Sequence, residues 1–457
     1  MEKTNDKKQL DMTHGSLFNK IVIFTIPIML SGILQLLFNA ADVIVVGRYA
    51  GKEALAAVGS TSSLINLMLN LFIGFAVGAN VCAAQYYGAN HEKDVSKTLH
   101  TSAAFSLICG VVLIIAGLIL AEPMLLLMGS PDDVIDLAVL YVKLYFLGAP
   151  ATVIYNFLAG ILRASGDTKH PLYFLTAAGI INVALNLLFV IKFDMSVAGV
   201  AIATVISQYI SGALLIIFLM RKEDCLKLKL KEIKIDKKIL SRIIRIGLPA
   251  GIQGAVFSIS NVVIQSAVNS FGSSFIAGSS AASSIEGFVY ISMNSVAQSC
   301  VTFTGQNYGA GDEKRVKKVL FQCVTFVFFV GLIIGNLVVY FARPLLSIYT
   351  DSAESIEAGV VRLTWVCTCY FLCGIMDVLT SSLRGIGKST LPMVFSILGA
   401  CASRLVWIST YFRIHPTEDV LFFSYPGSWA LTIICHAVCF VLCYNAWVKK
   451  KYSEVRF

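Results

Sequence analysis

The sequence has few charged residues for its length. Only 14% of its 457 residues are Asp, Glu, Lys or Arg, whereas 57% are hydrophobic. A soluble domain of this size needs roughly a quarter of its residues charged to cover its surface. Most of the surface must therefore contact something other than water, which excludes an ordinary soluble protein.

Patterns typical of cofactor, metal or catalytic sites are also scarce. The chain has twelve cysteines, but no two of them form a Cys-x-x-Cys pair, and eleven lie in or beside apolar runs. Small cysteines in such runs are typical of helix packing. There is no concentration of His, Ser, Cys and acidic residues, and no selectivity-filter loop. We therefore expect no cofactor, and the sequence disfavours a membrane enzyme or a channel.

Long apolar runs recur along the whole chain. Each is about 20 residues long, which is enough for a helix to cross about 30 Å of hydrocarbon. The alternating segments of about ten residues that would indicate a barrel are absent. The sequence predicts an all-α integral membrane protein with twelve transmembrane helices at 18–41, 55–80, 99–121, 136–157, 171–192, 197–219, 241–266, 275–300, 319–341, 360–381, 392–412 and 427–447.

The basic residues divide unequally between the two sides of these spans. Of the 36 Lys and Arg residues, 28 fall on the side of the N-terminus, 5 on the other side and 3 within spans. The side richer in Lys and Arg is normally cytoplasmic. We expect a multi-pass protein of the cell membrane with both termini in the cytoplasm. The net charge of +9 then reflects topology, and we expect no nucleic-acid partner.

An internal repeat organises the chain. Gly88 recurs as Gly309 and Pro123 as Pro344, at one constant offset that holds over more than 120 residues. Each repeat contains six spans, so both enter the membrane from the same side as parallel repeats. We predict the following segments: a cytoplasmic tail at 1–17, an N-lobe at 18–220, a basic and solvated linker at 221–240, a C-lobe at 241–447 and a cytoplasmic tail at 448–457.

Several short motifs resemble one transporter family. Asp42-Val-Ile-Val-Val-Gly47 ends the first span, Gln85-Tyr-Tyr-Gly-Ala89 follows the second, and Leu162-Arg-Ala-Ser-Gly-Asp167 follows the fourth; the last two have counterparts in the second repeat. Their order and duplication, with twelve spans in two lobes, resemble the multidrug and toxic compound extrusion (MATE) family. The resemblance implies an antiporter that exports small organic compounds, often cations, in exchange for H⁺ or Na⁺. Repeats of this kind suit alternating access about a central cavity.

Two rival families of transporters bear on this interpretation. The loop after span two, Gln85–Asp94, does not match the Gly-x-x-x-Asp-Arg-x-Gly-Arg-Arg motif of the major facilitator superfamily. A flippase of lipid-linked sugars, from the same superfamily as MATE, stays open as the alternative. Such flippases tend to carry Lys or Arg within the membrane, and Arg404 is the one such residue that the sequence places deep in a span. We expect the protein to act as a monomer.

Three carboxylates lie within apolar surroundings. Charge at membrane depth costs at least about 2.5–3.5 kcal/mol, so each is a candidate functional group. Asp42 matches the span-one aspartate that the MATE family uses for cation coupling, and it is also a possible Na⁺ ligand. Glu286 and Asp377 are candidates for binding a cationic substrate, and we expect Arg404 to neutralise one of them. The sequence leaves H⁺ and Na⁺ coupling open.

Polar side chains within the spans form a weaker set of candidates. Amides near Asp42 could line the ion site, and others could contact substrate; the alternative for each is a hydrogen bond between helices. Two prolines at matching places in spans one and seven are candidate hinges, because proline removes a backbone hydrogen bond. The candidates are Asn39, Asn182 and Asn186 for the ion, Gln35, Asn66, Asn70, Asn261, Gln265 and Arg404 for substrate, and Pro27 and Pro249 for bending.

Overall fold

The computed structural model describes residues 10–129 and 131–454, and this described part is helical with no strand. Two π-helical turns, at Leu188–Lys192 and Ile397–Ala402, and a 3₁₀ turn at Leu230–Glu232 interrupt the α-helices. The α-helices are α1 (Leu17–Tyr49), α2 (Lys52–Gly88), α3 (Glu92–Leu127), α4 (Ile135–Leu147), α5 (Ala149–Ala164), α6 (Lys169–Leu187), α7 (Ser196–Arg221), α8 (Lys237–Asn269), α9 (Ser273–Gly309), α10 (Glu313–Tyr340), α11 (Ala342–Leu346), α12 (Ala353–Thr368), α13 (Tyr370–Gly385), α14 (Thr390–Ser396), α15 (Ser403–Ser409), α16 (Tyr411–Ile414) and α17 (Glu418–Glu454).

Twelve membrane spans account for these helices. In the described residues, nine helical segments are long and apolar enough to cross a bilayer. Two further spans are bent pairs, α4 with α5 at 46° and α12 with α13 at 44°. The twelfth is α9, whose 37 residues include nine serines that lower its hydropathy. Ser279, Ser292, Ser295 and Ser299 are buried, so these hydroxyls avoid the lipid. The prediction of twelve transmembrane helices is confirmed.

The outer surfaces of the spans are apolar. Ile119 on α3, Ile333 on α10 and Leu442 on α17 are 65%, 56% and 65% exposed. An apolar surface this extensive would be costly in water but matches the hydrocarbon of a bilayer. The low charge content of the sequence therefore has its physical explanation in contact with lipid.

The described chain divides into two compact units. Unit 1 comprises 30–251 with residues 10 and 11, and unit 2 comprises 12–29 with 252–454. The predicted lobes at 18–220 and 241–447 are each continuous in sequence. In the structure, the first part of α1 belongs to unit 2 and the first part of α8 belongs to unit 1.

Close contacts within each unit explain this exchange. In unit 2, Thr25 at the start of α1 hydrogen-bonds to Ser299 of α9 at 2.7 Å. In unit 1, a Cβ atom added to Gly74 of α2 would lie 2.2 Å from the backbone nitrogen of Gly251 on α8. Only glycine permits such close backbone approach between membrane helices. The early parts of α1 and α8 therefore pack with the unit formed by the other repeat.

The two repeats have matching backbone features. Both α2 and α9 contain 37 residues, and the glycines before them, Gly51 and Gly272, have φ angles of 91° and 95°. Within unit 1, α5 packs against α2 and α3. Within unit 2, the equivalent helix α13 packs against the equivalent helices α9 and α10. The predicted parallel repeat is therefore present in the fold as well as in the sequence.

The linker between the repeats is more ordered than the sequence suggests. Leu226 and Leu228 are only 1% and 3% exposed and join an apolar cluster with residues of α3, α5 and α7. The backbone N–H of Lys229 donates to His100 Nε2 at 3.1 Å, whereas Leu230 is exposed. The expectation of a solvated connector is wrong for Leu226 and Leu228, because their burial removes apolar surface from water.

Candidate ion and substrate sites

Asp42 is the centre of a polar cluster in unit 1. Its side chain is buried in α1, and its carboxylate accepts hydrogen bonds from the Asn186 amide and, at 3.4 Å, from the Thr204 hydroxyl. The Asn186 amide also donates to Asn182 Oδ1 at 3.3 Å, and the Asn182 amide donates to Thr204 Oγ1 at 3.3 Å. We call these four side chains the Asp42 cluster. Three helices, α1, α6 and α7, position it.

The Asp42 cluster contains no positive charge. No Lys or Arg of the described chain forms an ion pair with Asp42, whose partners are one amide and one hydroxyl. The side-chain oxygen of Asn186 is buried without a hydrogen-bond partner in the described structure, as is that of Gln208 on α7. Buried polar atoms normally have partners. Carboxylate, amide and hydroxyl oxygens are suitable ligands for Na⁺, and the carboxylate alone can take a proton.

Glu286 in unit 2 has a different environment. It is 6% exposed and receives two parallel hydrogen bonds from Arg362, at 2.8 and 2.9 Å. The remaining terminal nitrogen of Arg362 donates to Ser279 at 2.8 Å. This bidentate geometry is the strongest form of arginine–carboxylate pairing. The negative charge of Glu286 is therefore balanced within its own unit.

Asp377 lies on α13 and is partly exposed. Its surroundings contain both polar and apolar side chains. Polar side chains near it include Asn294 and Tyr290 of α9 and Arg384 of α13. Arg384 itself donates to Gln253 at 2.9 Å, and its Nε atom is buried without a partner in the described part. Asp377 is therefore the more accessible of the two candidate carboxylates in unit 2.

Arg404 does not pair with either acid. Its Nε donates to Ser428 Oγ at 2.7 Å, and its guanidinium carbon lies 4.4 Å from the ring centre of Tyr425. The expectation that Arg404 neutralises Glu286 is wrong, because the sequence cannot reveal that α12 brings Arg362 closer. Asp377 has the charge of Arg384 beside it instead.

The other polar candidates are spread over several surfaces. Asn39 stands one turn before Asp42 but is exposed and makes no hydrogen bond to it in the described structure. Gln265 donates to Asn269 on the same helix at 3.1 Å. The exposed candidates are Gln35, Asn39, Asn66 and Asn261, and the partly buried ones are Asn70 and Gln265.

The two candidate hinge prolines lie inside continuous helices. Pro27 is within α1 and Pro249 within α8. Each lies two residues before the position at which its helix passes from one unit to the other, after Met29 and Gly251. The backbone hydrogen bond that each proline removes therefore lies close to the point at which its helix leaves one unit and enters the other.

Comparison with known families now decides the classification. The MatE family model matches the chain twice, over residues 27–188 and 249–407, which together are more than half of it. The chain belongs to the MatE family. The two matches also begin at equivalent prolines of the two repeats. MatE proteins are transporters and not enzymes, in agreement with the sequence-based prediction.

Relatives with names and structures support the classification of this MatE chain. It is 27% identical over 429 residues to the probable multidrug resistance protein YoeA of Bacillus subtilis, covering 92% of each chain. It superposes with a TM-score of 0.89 on an outward-facing multidrug resistance MATE transporter, at 22% identity over 97% of this chain and 99% of that one. It also superposes with a TM-score of 0.88 on a Pyrococcus furiosus transporter of the MOP superfamily, whose binding pocket is described as having reverse polarity. The identity is 23%, and the match covers 96% of this chain and 99% of that one.

Sequence reasoning missed two residues that these sites contain. Thr204 looks like an ordinary helical threonine, and no motif distinguishes it from others in the MatE sequence. Arg362 carried a usable signal, since it is a charged residue within a span and such residues normally have a partner inside the protein. The sequence-based expectation pairs Arg404 with one of Glu286 and Asp377, because sequence alone does not say which helices are neighbours.

Proposed function

We propose that this MatE protein exports small organic compounds, mainly cations, across the cell membrane in exchange for H⁺ or Na⁺. The observation that carries the proposal is the Asp42 cluster, a buried carboxylate whose partners are all neutral. Maintaining such a group in a membrane is costly, which is expected where it serves an ion pathway. The substrate class is supported by the multidrug resistance names of its relatives.

The Asp42 cluster is the proposed coupling site. A proton or a sodium ion would neutralise Asp42, and the amide and hydroxyl oxygens of Asn182, Asn186 and Thr204 would orient the carboxylate or share the ion. Asn39, one helical turn before Asp42, would line the path by which the ion approaches the carboxylate. Coupling requires that ion and substrate favour different arrangements of the transporter.

Substrate binding is proposed to involve Asp377 more than Glu286. The charge of Glu286 is already balanced by Arg362, whereas Asp377 is partly exposed. A cation that approaches Asp377 would gain the attraction of a carboxylate in a medium of low dielectric constant. Within unit 2, Asn261 and Gln265 are further candidates for polar contact with substrate; within unit 1, the candidates are Gln35, Asn66 and Asn70.

The proposed transport cycle uses alternating access in a single chain. Pro27 and Pro249 would allow α1 and α8 to bend where they pass between the two units. Both termini would lie in the cytoplasm, because the side of the N-terminus is rich in Lys and Arg. Cysteine labelling tests this orientation: positions 93 and 388 should react from the cytoplasm, and positions 132 and 418 from outside.

A lipid-linked sugar flippase is the second candidate function. The observation in its favour is Arg404, a buried arginine with no acidic partner among the described residues. Deletion of a flippase gene should disturb the cell envelope without altering drug sensitivity. A drug phenotype with a normal envelope supports export of small molecules.

Uptake into proteoliposomes tests the proposed function. The purified protein is reconstituted and offered a fluorescent organic cation under an imposed pH gradient or, separately, an imposed sodium gradient. We expect concentrative uptake with one of the two gradients. The gradient that drives the uptake identifies the coupling ion. Uptake with neither gradient would contradict antiport.

A further inference from the structure

The guanidinium of Arg404 is buried but incompletely used. The residue is 3% exposed, and its single hydrogen bond to a described residue is that from Nε to Ser428. Neither terminal nitrogen has a hydrogen-bond partner in the described structure, and neither is fully enclosed. Two terminal nitrogens of a buried cation in unit 2 are therefore left without a hydrogen-bond partner among the described residues.

Aromatic rings fix the orientation of this guanidinium. Its carbon lies 4.4 Å from the Tyr425 ring centre and 5.7 Å from that of Trp429, and Trp429 stacks on Tyr370 with centroids 5.4 Å apart. Arginine stacks on aromatic rings through the faces of its planar group. Stacking leaves the in-plane N–H groups free to donate, which is the geometry that a planar oxyanion requires.

Hydrogen bonds along α17 support the same arrangement. Ser428 Oγ donates to the Tyr425 carbonyl at 2.8 Å, so its oxygen is free to accept from Arg404. Arg404 follows the π-helical turn Ile397–Ala402, and one inserted residue rotates the next part of a helix by about 100°. The turn thus helps to direct Arg404 towards α17.

The charge around Arg404 is unbalanced. Its titratable neighbours are Tyr370, Cys373, Cys401 and Tyr425, none of which carries a carboxylate, and its hydrogen-bond partner Ser428 is neutral. Arg362, which shares Tyr370 and Tyr425 as neighbours, is already paired with Glu286. This part of unit 2 therefore has one net positive charge, and an uncompensated buried charge is strongly unfavourable.

We propose that Arg404 binds the carboxylate of amphoteric aromatic substrates. This inference rests on the proposed export function and adds a substrate class to it. One arginine provides one positive charge, which matches a carboxylate. A pyrophosphate carries at least two negative charges and would need a second free basic group. The rings of Tyr370, Tyr425 and Trp429 would contact the aromatic part of the same substrate.

A matched pair of dyes tests the proposal. The methyl ester of a rhodamine carries one positive charge, and the free acid of the same rhodamine adds a carboxylate. Transport of both is measured in proteoliposomes with wild-type protein, Arg404→Gln and Arg404→Lys. The control is Arg413→Gln, which removes the same charge from an exposed site on α16.

We expect Arg404→Gln to raise the KM for the free acid at least about tenfold, with little change for the ester, since hydrogen bonds to charged groups are of this strength. Arg404→Lys should give an intermediate value because it retains the charge but loses the paired N–H geometry. Arg413→Gln should change neither. An equal effect on both dyes would indicate a structural role and overturn the proposal.

A thermal-stability assay covers the possibility that Arg404→Gln folds poorly. The free acid should raise the Tm of detergent-solubilised wild-type protein more than the ester does, and this difference should be smaller in Arg404→Lys. A prenyl phosphate is the third probe in this assay. Stabilisation by the prenyl phosphate alone, dependent on Arg404, would overturn the proposal in favour of the flippase.

The dye experiment separates this inference from the proposed function. If wild-type protein transports the ester under an ion gradient but Arg404→Gln does not alter selectivity, the inference fails and antiport stands. If wild-type protein transports neither dye under either gradient, the proposed function fails for these substrates, and the ligand-induced shift in Tm remains the test of Arg404.

Discussion

The buried acids of the two units differ in how their charge is compensated. Asp42 in unit 1 accepts hydrogen bonds from neutral Asn186 and Thr204, whereas Glu286 in unit 2 accepts hydrogen bonds from Nε and one terminal nitrogen of Arg362. A carboxylate with neutral partners gains charge balance when it takes up a proton or Na⁺. A carboxylate paired with arginine would have to lose that partner first. The comparison teaches that burial alone does not identify a coupling group.

The repeat makes this difference more informative. The repeat offset is 222 residues before Gly51, as between Pro27 and Pro249, and 221 after it, as between Gly88 and Gly309. The counterpart of Asp42 is therefore Ile264, and the counterpart of Glu286 is Ile65. Tyr141, which lies near Asp42, is the counterpart of Arg362. These three buried ionisable groups are therefore not repeated, although Arg163 recurs as Arg384. Each unit has its own buried charge arrangement on a common set of helices.

The largest predicted effect concerns the ion pair in unit 2. Arg362→Gln leaves Glu286 buried and unpaired, and removing one partner of such a pair typically destabilises a protein by about 3–5 kcal/mol. We expect a marked loss of folded protein and a lower Tm in detergent. The double variant Glu286→Gln with Arg362→Gln should recover much of the loss, because no unpaired charge remains.

An exposed pair of the same type provides the control. Arg343 forms two hydrogen bonds with Glu357, at 2.9 and 3.1 Å, but both side chains are exposed. Since solvent screens such a pair, Arg343→Gln should leave the Tm nearly unchanged. Equal effects of Arg343→Gln and Arg362→Gln would show that burial is not what distinguishes the pair in unit 2.

The sequence predicted the membrane fold better than it predicted the charge network. Span number follows from the lengths of apolar runs, and the repeat follows from one constant offset, so both need only local or periodic information. The Asp42 cluster joins residues 144 and 162 positions apart. Such pairings depend on which helices are neighbours, and Thr204 and Arg362 could therefore not be assigned to their acids.

A second prediction compares the two acids of unit 2. Asp377→Asn should raise the KM for a monovalent organic cation about tenfold or more, because it removes the carboxylate that we propose attracts the cation. Glu286→Gln, measured on its folded fraction, should change this KM less than about threefold, since Arg362 already balances Glu286. A larger effect of Glu286→Gln would mean that substrate displaces Arg362.

The smallest predicted effect is at Thr204. Thr204→Val removes a hydroxyl that reaches Asp42 at 3.4 Å, which is long for a hydrogen bond. We expect the apparent affinity for the coupling ion to fall about threefold, with unchanged maximal transport. Thr325→Val on α10 is the control, since its hydroxyl bonds only to its own helix in the described structure. No difference between the two variants would exclude Thr204 from the ion site.

The most direct test of the account measures ion flux and substrate flux in the same vesicles. Wild-type protein, Asp42→Asn and the exposed control Asp132→Asn are reconstituted, and substrate-dependent movement of H⁺ or Na⁺ is recorded beside dye transport. Asp42→Asn should lose the ion flux and concentrative transport while dye still moves down its own gradient, and Asp132→Asn should match wild type. Substrate-dependent ion flux of wild-type size in Asp42→Asn would contradict the assignment of coupling to Asp42.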